Sequence, residues 1–118
     1  MRALALVVLA VAMLAGCGGG PAQPAGSIKV TMTEFQFAPS SITAPSGKVV
    51  FFLVNSGTTS HNLIIRDSAN RRVKGSDLVS AGDSSVFTVD NIAAGTYTIF
   101  CDQQGHEASG MKGTLIIT

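Results

Sequence analysis

Near the C-terminus, Gly95-Thr96-Tyr97-Thr98-Ile99-Phe100 and Thr114-Leu115-Ile116-Ile117 are two runs rich in β-branched and aromatic residues. Runs of this kind read as strands, so the residues between them form a loop pinned at both ends. That loop holds Cys101, His106 and Met111, each separated from the next by four positions. Thiol, imidazole and thioether in one loop make a soft ligand set: thiolate and thioether favour Cu(I), imidazole suits either copper oxidation state, and hard cations would require carboxylates. Taken singly, each residue has a structural reading. A small apolar Cys ending a strand and a Met opening one are ordinary core residues, and a lone His is an ordinary polar residue. Together, in this order and with Gly105 and Gly110 directly before His106 and Met111, they point to one copper ion.

A trigonal copper site with a weak axial Met needs a second imidazole, and the only other histidine is His61, in Ser60-His61-Asn62-Leu63. Cys101-x4-His106-x4-Met111 followed by Gly113-Thr114-Leu115, with His61-Asn62 upstream, resembles the cupredoxins, the plastocyanin and azurin family of small blue copper proteins. The resemblance covers about the last ninety residues. It implies a Greek-key β-sandwich of two sheets, with His61, Cys101, His106 and Met111 as ligands of one ion cycling between Cu(I) and Cu(II). Asn62 then orients the two ligand segments without coordinating. The resemblance further implies an outer-sphere one-electron carrier, not an enzyme, passing its electron through the exposed edge of His106 to redox protein partners, and a monomer. Family members often place apolar residues and a proline between the Cys and the second His. This chain has Asp102-Gln103-Gln104-Gly105 instead, so the surface around His106 is expected to be more polar and partner docking to differ from that of plastocyanin.

The N-terminus carries a different signal. Met1-Arg2 precedes thirteen uninterrupted apolar residues, Ala3 to Ala15, fewer than the ~20 that span a bilayer. This is the pattern of a signal peptide, residues 1–16. Leu14-Ala15-Gly16-Cys17 looks like a bacterial lipobox, which would make Cys17 the acylated first residue of the mature chain. Residues 17–27, Gly- and Pro-rich, read as a flexible linker, the ten after Cys17 reaching roughly 15–20 Å. The chain is therefore expected to be exported and lipid-anchored to a membrane, facing the periplasm or the cell exterior. If Cys17 carries lipid, Cys101 has no disulfide partner, and metal coordination would hold its thiolate.

Residues 28–118 suffice for one domain and one core. Ile28, Val30 and Met32 alternate, with Phe35 and Phe37 continuing the period until Ala38-Pro39 breaks it. Val49 to Val54 is apolar at six successive positions, the pattern of a central strand covered on both faces. Leu63-Ile64-Ile65 and Val86-Phe87-Thr88-Val89 add two more strands, while residues 66–80 are polar and read as a long connection or a short helix. The sum is an all-β sandwich of about seven to eight strands. Arg66, Arg71, Arg72 and Lys74 read as a solvated cluster. With eight Lys and Arg against seven Asp and Glu, there is no basic field of the kind nucleic acid requires.

Other chemistries fail on residue type. Cys101, His61 and His106 suit Zn²⁺, but Met is a poor zinc ligand and the spacing is no zinc-finger pattern. A binuclear copper centre would need a second cysteine in the loop. His106-Glu107-Ala108-Ser109-Gly110 begins like H-E-x-x-H and fails at its fifth position, and no G-x-S-x-G is present. The remaining alternative is copper binding for trafficking at the envelope, disfavoured because Met32 is the only further soft donor in the mature chain. An open-site copper enzyme is disfavoured by Met111.

Overall fold

The computed structural model describes residues 20–118; the signal peptide and the acylated Cys17 expected from the sequence lie outside them. Nine strands follow in order: β1 (Ile28–Thr33), β2 (Gln36–Ala38), β3 (Ser41–Ala44), β4 (Gly47–Asn55), β5 (Ile64–Arg66), β6 (Arg72–Gly75), β7 (Ser84–Ile92), β8 (Gly95–Phe100) and β9 (Lys112–Ile117). They form a four-stranded sheet, β2-β1-β4-β7, and a five-stranded sheet, β3-β9-β8-β5-β6. No helix is present among the described residues. The molecule is an all-β sandwich, as the strand pattern predicts.

The core follows from the two-residue period of strands whose inner faces meet. Val30 and Met32 of β1, Phe51 and Leu53 of β4, Ile99 of β8 and Leu115 of β9 are fully buried between the sheets or nearly so. Phe51 lies opposite Phe87 across the antiparallel β4–β7 pair, ring centroids 5.8 Å apart and stacked. Each such side chain removed from water contributes about 1.5–3 kcal/mol.

Several local expectations change. Phe35 does not continue the core period: β1 ends at Thr33, the chain turns back into β2, and Phe35 stands at the turn 39% exposed, whereas Phe37 pairs with Met32 and is buried. β4 is central, flanked by β1 and β7, but only one of its faces meets the other sheet. On its outer face Phe52 is buried while Val50 and Val54 are half-exposed. Phe52 shares a cavity of about 300 Å³ with Gly20 and Pro21, the latter accepting a hydrogen bond from Ser84 Oγ at 3.2 Å. Farther along the stretch read as linker, Ser27 donates to the Pro24 carbonyl through both N and Oγ. The 66–80 segment contains no helix. It holds the edge strand β6, whose Arg72, Val73 and Lys74 are all exposed, so it carries no apolar alternation for a sequence pattern to reveal.

Sheet register decides what meets at one end of the sandwich. β5 and β8 run antiparallel with Ile64 opposite Phe100. Continuing that register one step beyond each strand sets Leu63 against Cys101, and a second step sets Asn62 against Asp102. β8 and β9 are antiparallel with Phe100 opposite Lys112, and the next pair is Cys101 with Met111. Three chain segments therefore converge where β5 begins, β8 ends and β9 begins.

Candidate metal centre

The segment carrying His61 is fixed by a buried amide. Asn55, at the end of β4 and 1% exposed, donates through Nδ2 to the carbonyls of Thr59 and Val79, both at 2.8 Å, and accepts from the Gly57 N–H at 2.9 Å. The His61 backbone exchanges two hydrogen bonds with Val79, at 3.1 and 2.8 Å. A buried amide with its donors and acceptor occupied holds a loop without a desolvation penalty.

The second segment, residues 101–111, is a chain of tight turns. Gln103 accepts from His106 N, Gly105 from Ser109 N, Glu107 from Gly110 N and His106 from Met111 N, all at 2.9–3.0 Å. Gly105 and Gly110 take φ of 79° and 108°, backbone conformations that side chains disfavour. The loop closes on itself where Cys101 N donates to Met111 O at 3.2 Å. Asn62 joins the two segments as the extended register requires: its Nδ2 donates to Asp102 Oδ1 at 2.6 Å and its Oδ1 accepts from Asp102 N at 3.1 Å.

These constraints bring three donor atoms to one point. His61 Nδ1 and His106 Nδ1 are 3.2 Å apart, and Cys101 Sγ lies 4.0 Å from the first and 3.5 Å from the second; all three fall within 4.8 Å of one another. His61, Cys101 and Met111 are fully buried, while His106 is half-exposed. On the loop side its surroundings are polar, with Asp102, Gln104 and Gly105 exposed. On the other side the Phe35 ring meets the His106 ring edge-on, centroids 4.9 Å apart. The surface is therefore polar on one flank and aromatic on the other, the second flank supplied by a turn remote in sequence.

Glu34 is the residue that sequence reasoning missed. Its Oε1 accepts from Thr58 N at 2.8 Å, Thr59 N at 2.9 Å, Thr59 Oγ1 at 3.0 Å and His61 Nε2 at 3.0 Å. The backbone N–H groups of Thr59 and Thr58, then the Thr59 hydroxyl and the His61 ring, hold its carboxyl down at about 2. It is thus ionised near neutrality and faces the His61 Nε2 as an acceptor, on the side of the ring away from Nδ1. Nothing local marks Glu34 in the sequence; it sits in Thr33-Glu34-Phe35, twenty-seven positions before its partner.

The basic cluster also differs from its sequence reading. Arg66 pairs with Glu107 and its guanidinium lies 4.4 Å over the Phe100 ring. Arg72 Nη1 is 3.5 Å from Asp102 Oδ2. Two of the four cations therefore pair with carboxylates of the 101–111 loop, Arg66 half-buried and Arg72 still exposed to solvent.

The donor set fits a single copper ion. One thiol and two inward imidazole nitrogens beside a buried methionine match the preference of copper for sulfur and imidazole donors, and a zinc site would leave the methionine without a role. The comparisons agree. Residues 4–117 match the family model for a cupredoxin-like domain. The chain is 30% identical over 87 residues to chloroplastic plastocyanin of Chlamydomonas reinhardtii, covering 70% of this chain and 58% of that one. It is 33% identical over 88 residues to plastocyanin of Scenedesmus fuscus, covering 69% and 85%. Among solved structures, auracyanin B superposes with a TM-score of 0.71 at 23% identity, over 83% of this chain and 92% of that one, a likeness of fold.

Proposed function

The chain belongs to the cupredoxin family, and from that membership we propose that it is a blue copper protein acting as an outer-sphere one-electron carrier between redox proteins at the cell envelope, not as an enzyme. The observation that carries this reading is the convergence of His61 Nδ1, Cys101 Sγ and His106 Nδ1 within 4.8 Å, beside buried Met111 and with only His106 reaching the surface. When bound, copper supplies the Cu(I)/Cu(II) couple.

Each residue has a task in this reading. Cys101 would hold the ion through its thiolate, His61 and His106 through their imidazoles and Met111 through its thioether, a soft donor set that would tune the potential of the bound copper. Asn62 holds the two ligand segments in register through its paired hydrogen bonds to Asp102. The turns of the 101–111 loop and the Glu34 contact to His61 restrict movement of the donors, so little reorganisation accompanies gain or loss of an electron. His106 provides the path outward, flanked by Phe35.

This bracing favours electron transfer over trafficking, because a site that hands its metal to another protein must open its donors. Export and lipid anchoring through Cys17 rest on the N-terminal sequence pattern; among the described residues no helix is long and apolar enough to cross a membrane.

The test is the visible spectrum of the protein with one equivalent of Cu(II). An intense orange-red absorption that bleaches with mild reductant, returns on oxidation and is absent in Cys101→Ser supports the reading. A colourless protein, or one with the faint blue of nitrogen and oxygen ligation, overturns it.

A further inference from the structure

We propose that Glu34 is a positioning residue of the copper centre: its carboxylate fixes His61 in the Nε2-protonated form and, through that charge-assisted hydrogen bond, biases the site toward the oxidised ion. The inference rests on the copper reading above and deepens it.

Three observations carry it. The His61 ring is fully buried, and its Nε2 lies 3.0 Å from Glu34 Oε1, so the outer nitrogen meets an anion instead of water. The same oxygen takes three further hydrogen bonds from Thr58 and Thr59, which aim the carboxylate independently of His61. Space is reserved for it: a methyl group at Gly57 would lie 2.5 Å from Glu34 Oε1, closer than a carbon can stand. Gly57 is itself held by Asn55 Oδ1 at 2.9 Å, so the cradle is built from the end of β4.

The physical consequence has a definite sign. An imidazole that donates to a carboxylate is a more basic, more electron-rich ligand through its other nitrogen. It stabilises the more highly charged metal more than the less charged one. The carboxylate therefore strengthens Cu(II) binding relative to Cu(I) and lowers the reduction potential.

All four of these contacts fall on Oε1, which separates charge from shape. Glu34→Gln keeps an acceptor oxygen of the same reach and removes the charge, whereas Glu34→Ala removes both. The experiment uses the full-length protein and two readouts. Long-range ¹⁵N–¹H correlation of the metal-free protein reports which His61 nitrogen carries the proton, and redox titration with copper bound reports the potential. Wild type is expected to show His61 protonated on Nε2. Glu34→Gln is expected to keep that tautomer and lose about tenfold in Cu(II) affinity relative to Cu(I), a rise of ~59 mV for one electron. Glu34→Ala is expected to lose the single tautomer.

Wild-type His61 protonated on Nδ1 would overturn the proposal, and so would an unchanged potential in a Glu34→Gln protein that retains its colour. Neither result touches the copper reading, because colour is scored separately. A wild-type protein without the thiolate colour would overturn the copper reading and the redox bias together, whatever the tautomer.

Discussion

Asn55 shows how one buried polar side chain can carry a site it never touches. Its sequence context, Asn55-Ser56-Gly57, reads as a turn that ends a strand, and the turn is there. What the context hides is that Asn55 is buried and tied to Gly57, Thr59 and Val79, the residues that place Glu34 and His61. Asn55→Ala strands the Thr59 carbonyl and the Gly57 N–H, and is expected to cost about 2–3 kcal/mol in urea denaturation of the metal-free protein. Asp67 makes a smaller, pH-dependent contribution. The Arg71 N–H, then the Arg71 guanidinium at 3.0 Å and the Ala69 N–H, hold its carboxyl below the ordinary 3.8. In that window the unfolded chain binds this proton more readily than the folded one, so stability rises with pH. The contribution is complete above the ordinary value and is lost as pH falls through the folded one. Asp67→Asn is expected to flatten the acid limb of thermal stability below about pH 4 and to leave stability at pH 7 changed only slightly.

The β5–β6 hairpin is the element whose role the sequence conceals most. β6 is an edge strand with exposed side chains, so its four residues show neither alternation nor an apolar run. Its consequence is positional: paired with β5, it sets Arg72 beside Asp102, while Arg66 of β5 reaches Glu107. The ligand loop is thus clamped from outside by groups that look like plain surface charge. Half-exposed ion pairs contribute little each. A double-mutant cycle of Arg66→Ala and Glu107→Gln is expected to give a coupling of about 0.5–1 kcal/mol. Amide exchange across residues 103–110 should quicken in both single variants. Unchanged exchange there would show that the internal turns alone hold the loop.

Over the whole molecule, the hydrogen bonds that hold the donor segments join protein groups alone, so the site is expected to be assembled before metal arrives. The metal-free protein is expected to unfold cooperatively, and copper at a free concentration a hundredfold above its dissociation constant is expected to add about 2.7 kcal/mol, measured as a shift of the urea midpoint. An unfolded metal-free chain would contradict the preassembled site. The sequence by itself determined the donor types in the 101–111 loop, the placement of that loop between two strands, the all-β class and the buried Val30 and Met32 face of β1. Those follow from residue chemistry and a two-residue period, both local. It also carried Asn62, through the resemblance of His61-Asn62 to a known family. Only the tertiary structure decided that Glu34 orients His61, that Phe35 leaves the core to flank His106, and that Arg66 and Arg72 brace the ligand loop. Such contacts join residues twenty-seven or more positions apart. They are set by how strands align and where a turn points, which no short stretch of chain encodes.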